Sequence, residues 1–297
     1  MSTRDLTRYA QFPQTYFDGI SDFLRSRVPR GIVSINYHGG LLDLLIQEES
    51  GAETTIVVFH AAVPTTATLP VFAGIGVTRT LKANLVFVAD PTLALNSQLT
   101  LGWFAGNRLQ PLQKDLPLVL EHILDGLGSK HTIFHGPSGG GFAALYYSAQ
   151  FPGSLAIPTN PQTIIENFSP YSVRAYVEAA FGAVDNLAGA IESLDRYVVH
   201  DLCELYGKGQ SNAVAYLQNI PDSRHMERHL GPFYSACRPS PLTRYLLGDW
   251  GPGHHAPPKD LIRDVLTTAT RAAGDWKGML DALGFAEEIP GIVAQTP

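Results

Sequence analysis

Short runs of apolar, mostly β-branched residues recur along the chain, separated by turns and by stretches with helical spacing. Eight runs predict strands, at residues 31–37, 41–47, 54–60, 85–89, 132–135, 155–158, 213–217 and 244–247. The first two flank His38-Gly39-Gly40 and are typical of a hairpin. Several of the others are apolar almost throughout, which indicates strands that are buried on both faces of a sheet.

Helical spacing appears between several of these runs, most clearly at residues 116–127, 141–150 and 261–273. Alternating buried strands and helices predict an α/β fold, with a mostly parallel eight-stranded sheet between two helical layers. Residues 170–209 break this rhythm, because they have helical spacing and no strand pattern. We therefore predict a helical cap over about 164–211, inside one domain that spans 1–297.

Composition narrows the classes of function. The chain has 297 residues, of which 45% are hydrophobic and 16% charged, and its formal net charge is -6. No run of basic residues is present, which disfavours nucleic acid as a partner. We expect a cytoplasmic protein without a membrane partner, because the N-terminal segment lacks a signal-peptide pattern and no apolar run could span a bilayer. Cys203 and Cys237 form no metal-binding pattern.

The turn Gly136-Pro137-Ser138-Gly139-Gly140 joins a predicted buried strand directly to a predicted helix. A serine on so tight a strand-to-helix turn has strained backbone torsions and needs small neighbours, which the glycines provide. The free N–H groups at the helix start also favour a developing oxyanion. A phosphate-binding loop is excluded because Phe142-Ala143 occupy the places of Lys and Ser/Thr, and a dinucleotide fingerprint is excluded because no acidic residue ends the next strand.

A serine nucleophile needs a histidine base and an acid that orients the base. Asp222 follows the predicted strand 213–217, and a glycine-rich loop after the last strand carries His254 and His255. We predict Ser138, His254 and Asp222 as the catalytic residues, with His255 as the alternative base. Two other aspartates are weaker candidates for the acid. Asp249 lies too near the histidines in the chain, and Asp90 follows an earlier strand, outside the expected order of serine, acid and histidine.

On these motifs, residues 31–283 resemble the α/β-hydrolase superfamily. The resemblance implies hydrolysis of an ester or related acyl bond through an acyl-enzyme. It also implies an oxyanion hole formed by the N–H of Gly139 and by that of Ala61 or Ala62, in the loop after the third predicted strand. His60 in the same loop is expected to be structural. The expected substrate is a small acyl or ester compound, and we expect no metal ion and no organic cofactor.

Three alternatives stay open at this point. Asp222, His225 and His229 have a spacing that suits a metal site on a helix, although the zinc-protease motif is absent. The fold could also serve a binding protein without turnover, or the same site could serve a thioesterase or an acyltransferase that passes the acyl group to an alcohol or amine instead of water. The aromatic segments around Trp103-Phe104, Tyr171 and Phe181 fit either an apolar substrate pocket or ordinary packing. The sequence does not predict an oligomeric state.

Overall fold

The computed structural model describes residues 3–237 and 240–289 and contains one nine-stranded sheet. The strands follow the spatial order β1-β2-β3-β5-β4-β6-β7-β8-β9. All neighbouring pairs are parallel except those of β3, which runs antiparallel to both β2 and β5. In chain order the strands are β1 (Gln14–Phe17), β2 (Gly31–Tyr37), β3 (Gly40–Gln47), β4 (Thr54–Phe59), β5 (Asn84–Val88), β6 (His131–Pro137), β7 (Leu155–Thr159), β8 (Ala213–Asn219) and β9 (Thr243–Gly248).

Eleven α-helices occur in the described part of the chain. They are α1 (Ile20–Leu24), α2 (Ile75–Thr78), α3 (Leu112–Gly126), α4 (Gly139–Ser148), α5 (Pro170–Phe181), α6 (Leu187–Tyr197), α7 (Leu202–Gly207), α8 (Ser223–His225), α9 (Gly231–Ala236), α10 (Lys259–Ala272) and α11 (Trp276–Ala282). Short 3₁₀ helices span Thr7–Tyr9, Pro91–Ala94 and Ile165–Asn167, and a π-helical turn spans Met226–Leu230.

The sheet separates two hydrophobic cores, so the fold has three layers. Along β4, Val57 belongs to the core that contains α3 and α4, whereas Ile56 and Val58 belong to the core that contains α10 and α11. Successive side chains of a strand point to opposite faces, so a strand covered on both sides must be apolar at every position. This explains the continuous apolar runs in the sequence and confirms the α/β class.

All eight predicted strands are present, and residues 31–47 form the predicted hairpin. The strand count of eight was wrong, because β1 adds a ninth strand parallel to β2 at the edge of the sheet. This strand has four residues, of which only Phe17 is buried, and Tyr16 is largely exposed. A short edge strand covered on one side carries no continuous apolar run, so the pattern on which the prediction relied is absent there.

Residues 164–211, the predicted cap, contain α5, α6 and α7 and no strand. This insertion packs on the body of the protein through buried contacts. Tyr176 Oη donates to Gly106 O at 2.8 Å, and Gln113 on α3 bonds both backbone groups of Val199 at 2.8 Å. Its role as a cap over a substrate stays a prediction, as does the domain boundary, whose ends 1–2 and 290–297 lie outside the described residues.

The carboxyl ends of the central strands bring the chemically important loops together. The elbow at Ser138 follows β6, residues 160–162 follow β7, Asp222 follows β8 and the loop with His254 follows β9. Because β6, β7, β8 and β9 are neighbours and parallel, these segments meet at one edge of the sheet. Among the described residues, no helix combines the length and apolar character that crossing a bilayer requires.

Candidate active site

Ser138 lies in a strained turn between β6 and α4. Its torsion angles are φ 55° and ψ -117°, a conformation that residues with a side chain rarely adopt. The Ser138 N–H donates to Thr159 O at 2.9 Å, and the Gln162 N–H donates to Ser138 O at 3.3 Å. The backbone of the nucleophile position is therefore tied to the end of β7 and to the loop that follows it.

Close backbone contacts explain why glycine is needed on either side of the serine. A Cβ at Gly136 would lie 2.2 Å from Gly140 O, and a Cβ at Gly140 would lie 2.5 Å from His60 O. Neither site can accept a side chain unless the backbone moves. The second contact also places the start of α4 directly against the loop after β4, which contains Ala61 and Ala62.

The three residues predicted as catalytic, Ser138, His254 and Asp222, lie in one continuous hydrogen-bonded chain. Ser138 Oγ lies 3.1 Å from His254 Nε2, and His254 Nδ1 lies 2.6 Å from Asp222 Oδ2. The polarity of such a chain follows from its ends: the carboxylate only accepts, so Nδ1 carries the imidazole proton and Nε2 accepts from the serine hydroxyl. This arrangement leaves His254 ready to take a proton from Ser138.

Asp222 is held as a carboxylate by its neighbours. It is 4% exposed, and its Oδ1 accepts from the His225 N–H at 3.2 Å at the start of α8. Burial acts to raise the pKa of Asp222, but the bond from His254 and the contacts of His225 outweigh it, so this pKa falls below the ordinary value. An ionised acid at this position can stabilise an imidazolium at His254 during a reaction.

The structure also places the alternative candidates. His255 is exposed, and its backbone carbonyl accepts from Asn160 Nδ2 at 2.8 Å. Asp249 is exposed and accepts from the Gly251 N–H at 3.2 Å. Asp90 accepts from the backbone of Thr92 at 3.0 Å and therefore caps a 3₁₀ turn. None of the three side chains bonds Ser138 or His254.

The predicted oxyanion-hole residues lie around the start of α4. The N–H of Gly139 is at the first position of the helix, where no intrahelical acceptor exists. His60 next to Ala61 is structural in its contacts: Nδ1 donates to Ala61 O at 2.7 Å and Nε2 accepts from the Asp90 N–H at 3.2 Å. Burial lowers the pKa of His60, so this ring stays neutral. The two hydrogen bonds of the neutral ring hold the Ala61-Ala62 loop in place.

Two buried asparagines that the sequence reasoning missed hold the histidine loop. Asn219 at the end of β8 donates to Gly251 O at 2.8 Å and Gly253 O at 2.7 Å, and it accepts from the Trp250 N–H at 2.9 Å. Asn160 accepts from the Asn219 N–H at 2.7 Å. Their signal in the sequence was an asparagine two positions after the end of an apolar run, at the same sheet edge as Ser138.

Gln162 and His225 were also not predicted at the site. Gln162 Nε2 donates to Ser138 Oγ at 2.7 Å, and both side chains are buried. His225 Nδ1 lies 2.9 Å from Asp222 Oδ2, and its ring stacks on that of His254 with centroids 4.1 Å apart. The spacing of the sequence had suggested His225 only as a possible metal ligand.

The metal hypothesis combined Asp222, His225 and His229, and the structure brings together a different set. Asp222, His225 and His254 each place one potential ligand atom within 4.8 Å of the others, whereas His229 Nδ1 accepts from the Thr163 N–H at 3.2 Å. Burial, followed by repulsion from His225, lowers the pKa of His229 to about 3. The neutral His229 ring therefore supports the loop after β7.

Access to the site differs strongly between its members. The Ser138 residue is 8% exposed, whereas 41% of the His254 side chain is exposed. At the same sheet edge, a cavity of about 510 Å³ is bordered by His60, Leu41 and Asp90. Of the aromatic residues considered for a pocket, Trp103, Phe104 and Phe181 are buried in the core, and Tyr171 is 79% exposed.

No protein-family model matches the chain, and no curated protein matches its sequence. Among solved structures, the capsule O-acetyltransferase of Neisseria meningitidis serogroup A superposes with a TM-score of 0.63 at 16% identity, over 84% of this chain and 99% of that one. A structure of that enzyme in complex with CoA superposes with a TM-score of 0.61 at 15% identity, over 83% of this chain and 97% of that one. The S-formylglutathione hydrolase of Agrobacterium tumefaciens superposes with a TM-score of 0.51 at 14% identity, over 84% of this chain and 100% of that one. These similarities confirm the α/β-hydrolase fold.

Proposed function

We propose that the protein is a serine enzyme that cleaves an ester or related acyl bond through an acyl-enzyme on Ser138. The observation that carries this proposal is the chain from Ser138 Oγ through His254 to Asp222, with distances of 3.1 Å and 2.6 Å. An unassisted serine hydroxyl is a poor nucleophile, and this arrangement supplies both the base and the acid that orients the base. The small-molecule substrate carries an acyl group on oxygen or sulfur.

The reaction follows from the geometry in two steps. His254 Nε2 takes the proton of Ser138 as Oγ bonds to the acyl carbon, and the N–H groups of Gly139 and of Ala61 or Ala62 bind the resulting oxyanion. The carbon–leaving-group bond then breaks and the leaving group takes the proton from His254. In the second step a water or an alcohol, deprotonated by His254, attacks the acyl carbon and releases Ser138 Oγ with its proton.

The first test is covalent labelling of the purified protein with a fluorophosphonate probe, followed by peptide mass spectrometry. We expect one phosphonyl adduct on Ser138 and none in Ser138→Ala. Ser169→Ala, at the N-terminal end of α5, serves as the control and should label like the wild type. A folded wild-type protein without label would overturn the proposal and favour the binding protein without turnover.

Acyl transfer is the second candidate, and one observation favours it. The capsule O-acetyltransferase superposes over 99% of its own length with a TM-score of 0.63, against 0.51 for the S-formylglutathione hydrolase. Both outcomes use the same acyl-enzyme and differ only in the acceptor for its acyl group. The fate of the acyl group is read by incubating the enzyme with acetyl-CoA or p-nitrophenyl acetate, with and without a polyol. Acetate alone means hydrolysis, whereas an acetylated polyol means transfer.

A further inference from the structure

The side chain of Gln162 has a defined orientation between Ser138 and Trp103. Its Oε1 lies 3.1 Å from Trp103 Nε1, and its Nε2 lies 2.7 Å from Ser138 Oγ. An indole N–H only donates, so the amide oxygen must face Trp103 and the amide NH₂ must face the serine. Trp103 is itself fixed, because Phe168 and Tyr176 contact its ring edge-to-face at centroid distances of 6.0 Å and 5.5 Å.

The same amide also determines the state of His225. Gln162 Nε2 lies 3.2 Å from His225 Nε2, and because the amide nitrogen only donates, this imidazole nitrogen must carry no proton. The proton of His225 is then on Nδ1, which lies 2.9 Å from Asp222 Oδ2, a contact of hydrogen-bonding length but poor angle. Burial, followed by repulsion from His254, lowers the pKa of His225 to about 4 and keeps the ring neutral near pH 7.

Two routes therefore connect the Asp222 carboxylate to the serine oxygen. One runs through His254, and the other runs through His225 and Gln162. We propose that Gln162 and His225 form a second arm of the active site: the Gln162 amide donates to Ser138 Oγ and turns the serine's own proton toward His254, while His225 and Trp103 fix that amide. This inference rests on the proposed acyl-enzyme chemistry and adds residues that act on its nucleophile.

The donor at Oγ has a chemical consequence in both steps. When Oγ has accepted a hydrogen bond from Gln162, its own hydrogen must point elsewhere, and His254 Nε2 at 3.1 Å is the acceptor in reach. When the acyl-enzyme breaks down, the bond from the acyl carbon to Oγ breaks and its electron pair returns to Oγ, which takes a proton from His254. A preorganised N–H stabilises the negative charge that develops on Oγ during this step.

The first experiment compares Gln162→Met and Gln162→Glu with the wild type by the rate of fluorophosphonate labelling at Ser138. We expect a loss of about 100-fold in Gln162→Met at every pH, since no donor then turns the Ser138 hydroxyl proton toward His254. An ionised carboxylate in Gln162→Glu cannot donate, so this variant also labels slowly at pH 8. Its rate relative to the wild type should rise as the pH falls, because the protonated acid donates again.

Gln113→Met is the matched control, because Gln113 is another buried glutamine with two hydrogen bonds, both to Val199 on the helical insertion. It should label at the wild-type rate, and thermal unfolding of each variant reports its folding. If the wild type labels and the folded Gln162→Met labels equally fast, the second arm is wrong and the proposed function stands. If the folded wild type does not label at Ser138, both are wrong.

The second experiment tests the residues that act through Gln162. Trp103→Phe keeps a ring between Phe168 and Tyr176 but removes the N–H that orients the amide, so we expect a loss of about 10-fold in labelling rate. In a Gln162→Met background the same change should have little further effect, since residues that act as a unit are not additive. If Trp103→Phe lowered the labelling rate by the same factor in both backgrounds, Trp103 would not act through Gln162 and this part of the proposal would be wrong.

His225→Phe removes both polar contacts and keeps the stacking on His254. We expect kcat for p-nitrophenyl acetate to fall about 10-fold with little change in KM. The pH–rate profile of the variant should also differ from that of the wild type, because His225 no longer contacts the Asp222 carboxylate that bonds His254. An unchanged pH profile with kcat at the wild-type value would show that His225 only fills space.

Discussion

Ser138 and His254, the proposed nucleophile and base, are held in opposite ways. Ser138 is 8% exposed, and its position follows from backbone contacts between neighbouring glycines and the ends of β4 and β7. The His254 side chain is 41% exposed and lies on a loop that makes no regular secondary structure. Two asparagine side chains, Asn160 and Asn219, hold that loop by hydrogen bonds to its backbone.

This contrast has a physical basis. A tight turn between two buried elements needs no side chain to fix it, because close packing leaves the backbone no room to move. An exposed loop gains little from packing, so its position depends on a few directional bonds from a rigid strand. His254 can therefore be displaced by a change in a single amide, whereas displacing Ser138 requires disruption of the packed core.

The largest expected effect comes from the base itself. His254→Ala should lower the rate of labelling at Ser138 and kcat for p-nitrophenyl acetate by roughly four to six orders of magnitude, since the serine loses its proton acceptor. His255→Ala on the same loop should stay within a few-fold of the wild type. The reverse pattern in these two variants would exchange the roles of the two histidines.

A change at the packed turn should affect stability strongly. Gly136→Ala places a Cβ 2.2 Å from Gly140 O, so we expect the free energy of unfolding to fall by about 3 kcal/mol or more, or folding to fail. Gly76→Ala in α2 is the control, because a Cβ there meets no atom within 4 Å and alanine favours a helix. Denaturant titration measures both, and equal stabilities would refute the packing argument.

A change at the histidine loop should affect turnover more than stability. Asn219→Ala removes three side-chain hydrogen bonds to the loop, and we expect kcat to fall about 100-fold through misplacement of His254. Asn84→Ala is the matched control: Asn84 is 1% exposed and accepts from the Glu49 N–H at 3.0 Å, at the opposite edge of the sheet. It should lose stability and keep the wild-type kcat per folded molecule.

Counted for one histidine and one pH unit, the smallest expected effect is a pH dependence of stability from the buried histidines. The pKa values of His225 and His229 are about 4 and about 3 in the folded protein, below the ordinary value of 6.5. Between pH 6.5 and pH 4 the unfolded chain thus binds protons that the folded protein does not. Each histidine should lower the free energy of unfolding by about 1.4 kcal/mol per pH unit as the pH falls.

His229→Gln should reduce the slope of the free energy of unfolding against pH by the contribution of one histidine. Denaturant titration at several pH values measures this slope. His255→Ala is the control, since the His255 ring is exposed in the folded protein. A His229→Gln variant with the wild-type slope would mean that this buried ring is not the source of the pH dependence.

Local patterns of the sequence predicted most of the fold. A buried strand must be apolar on both faces, so the sequence pattern predicted eight of the nine strands. It did not predict the edge strand β1, which is covered on one side only. The elbow was local only in part: a Cβ at Gly136 would meet Gly140 within the same turn, whereas a Cβ at Gly140 would meet His60 O after β4. Asp222 and His254 were predicted from their places after strands, since parallel strands bring their carboxyl ends to one edge.

By itself, the sequence determined the elements, their alternation and the turn that carries the serine, because each depends on short-range sterics and on the periodicity of burial. The tertiary structure decided which of two adjacent histidines meets Ser138, and it brought Gln162 and His225 to the serine and its acid. It also turned Asn219 toward the histidine loop. Hydrogen bonds between residues far apart in the chain depend on angles and distances of a few tenths of an ångström, and no local pattern encodes these.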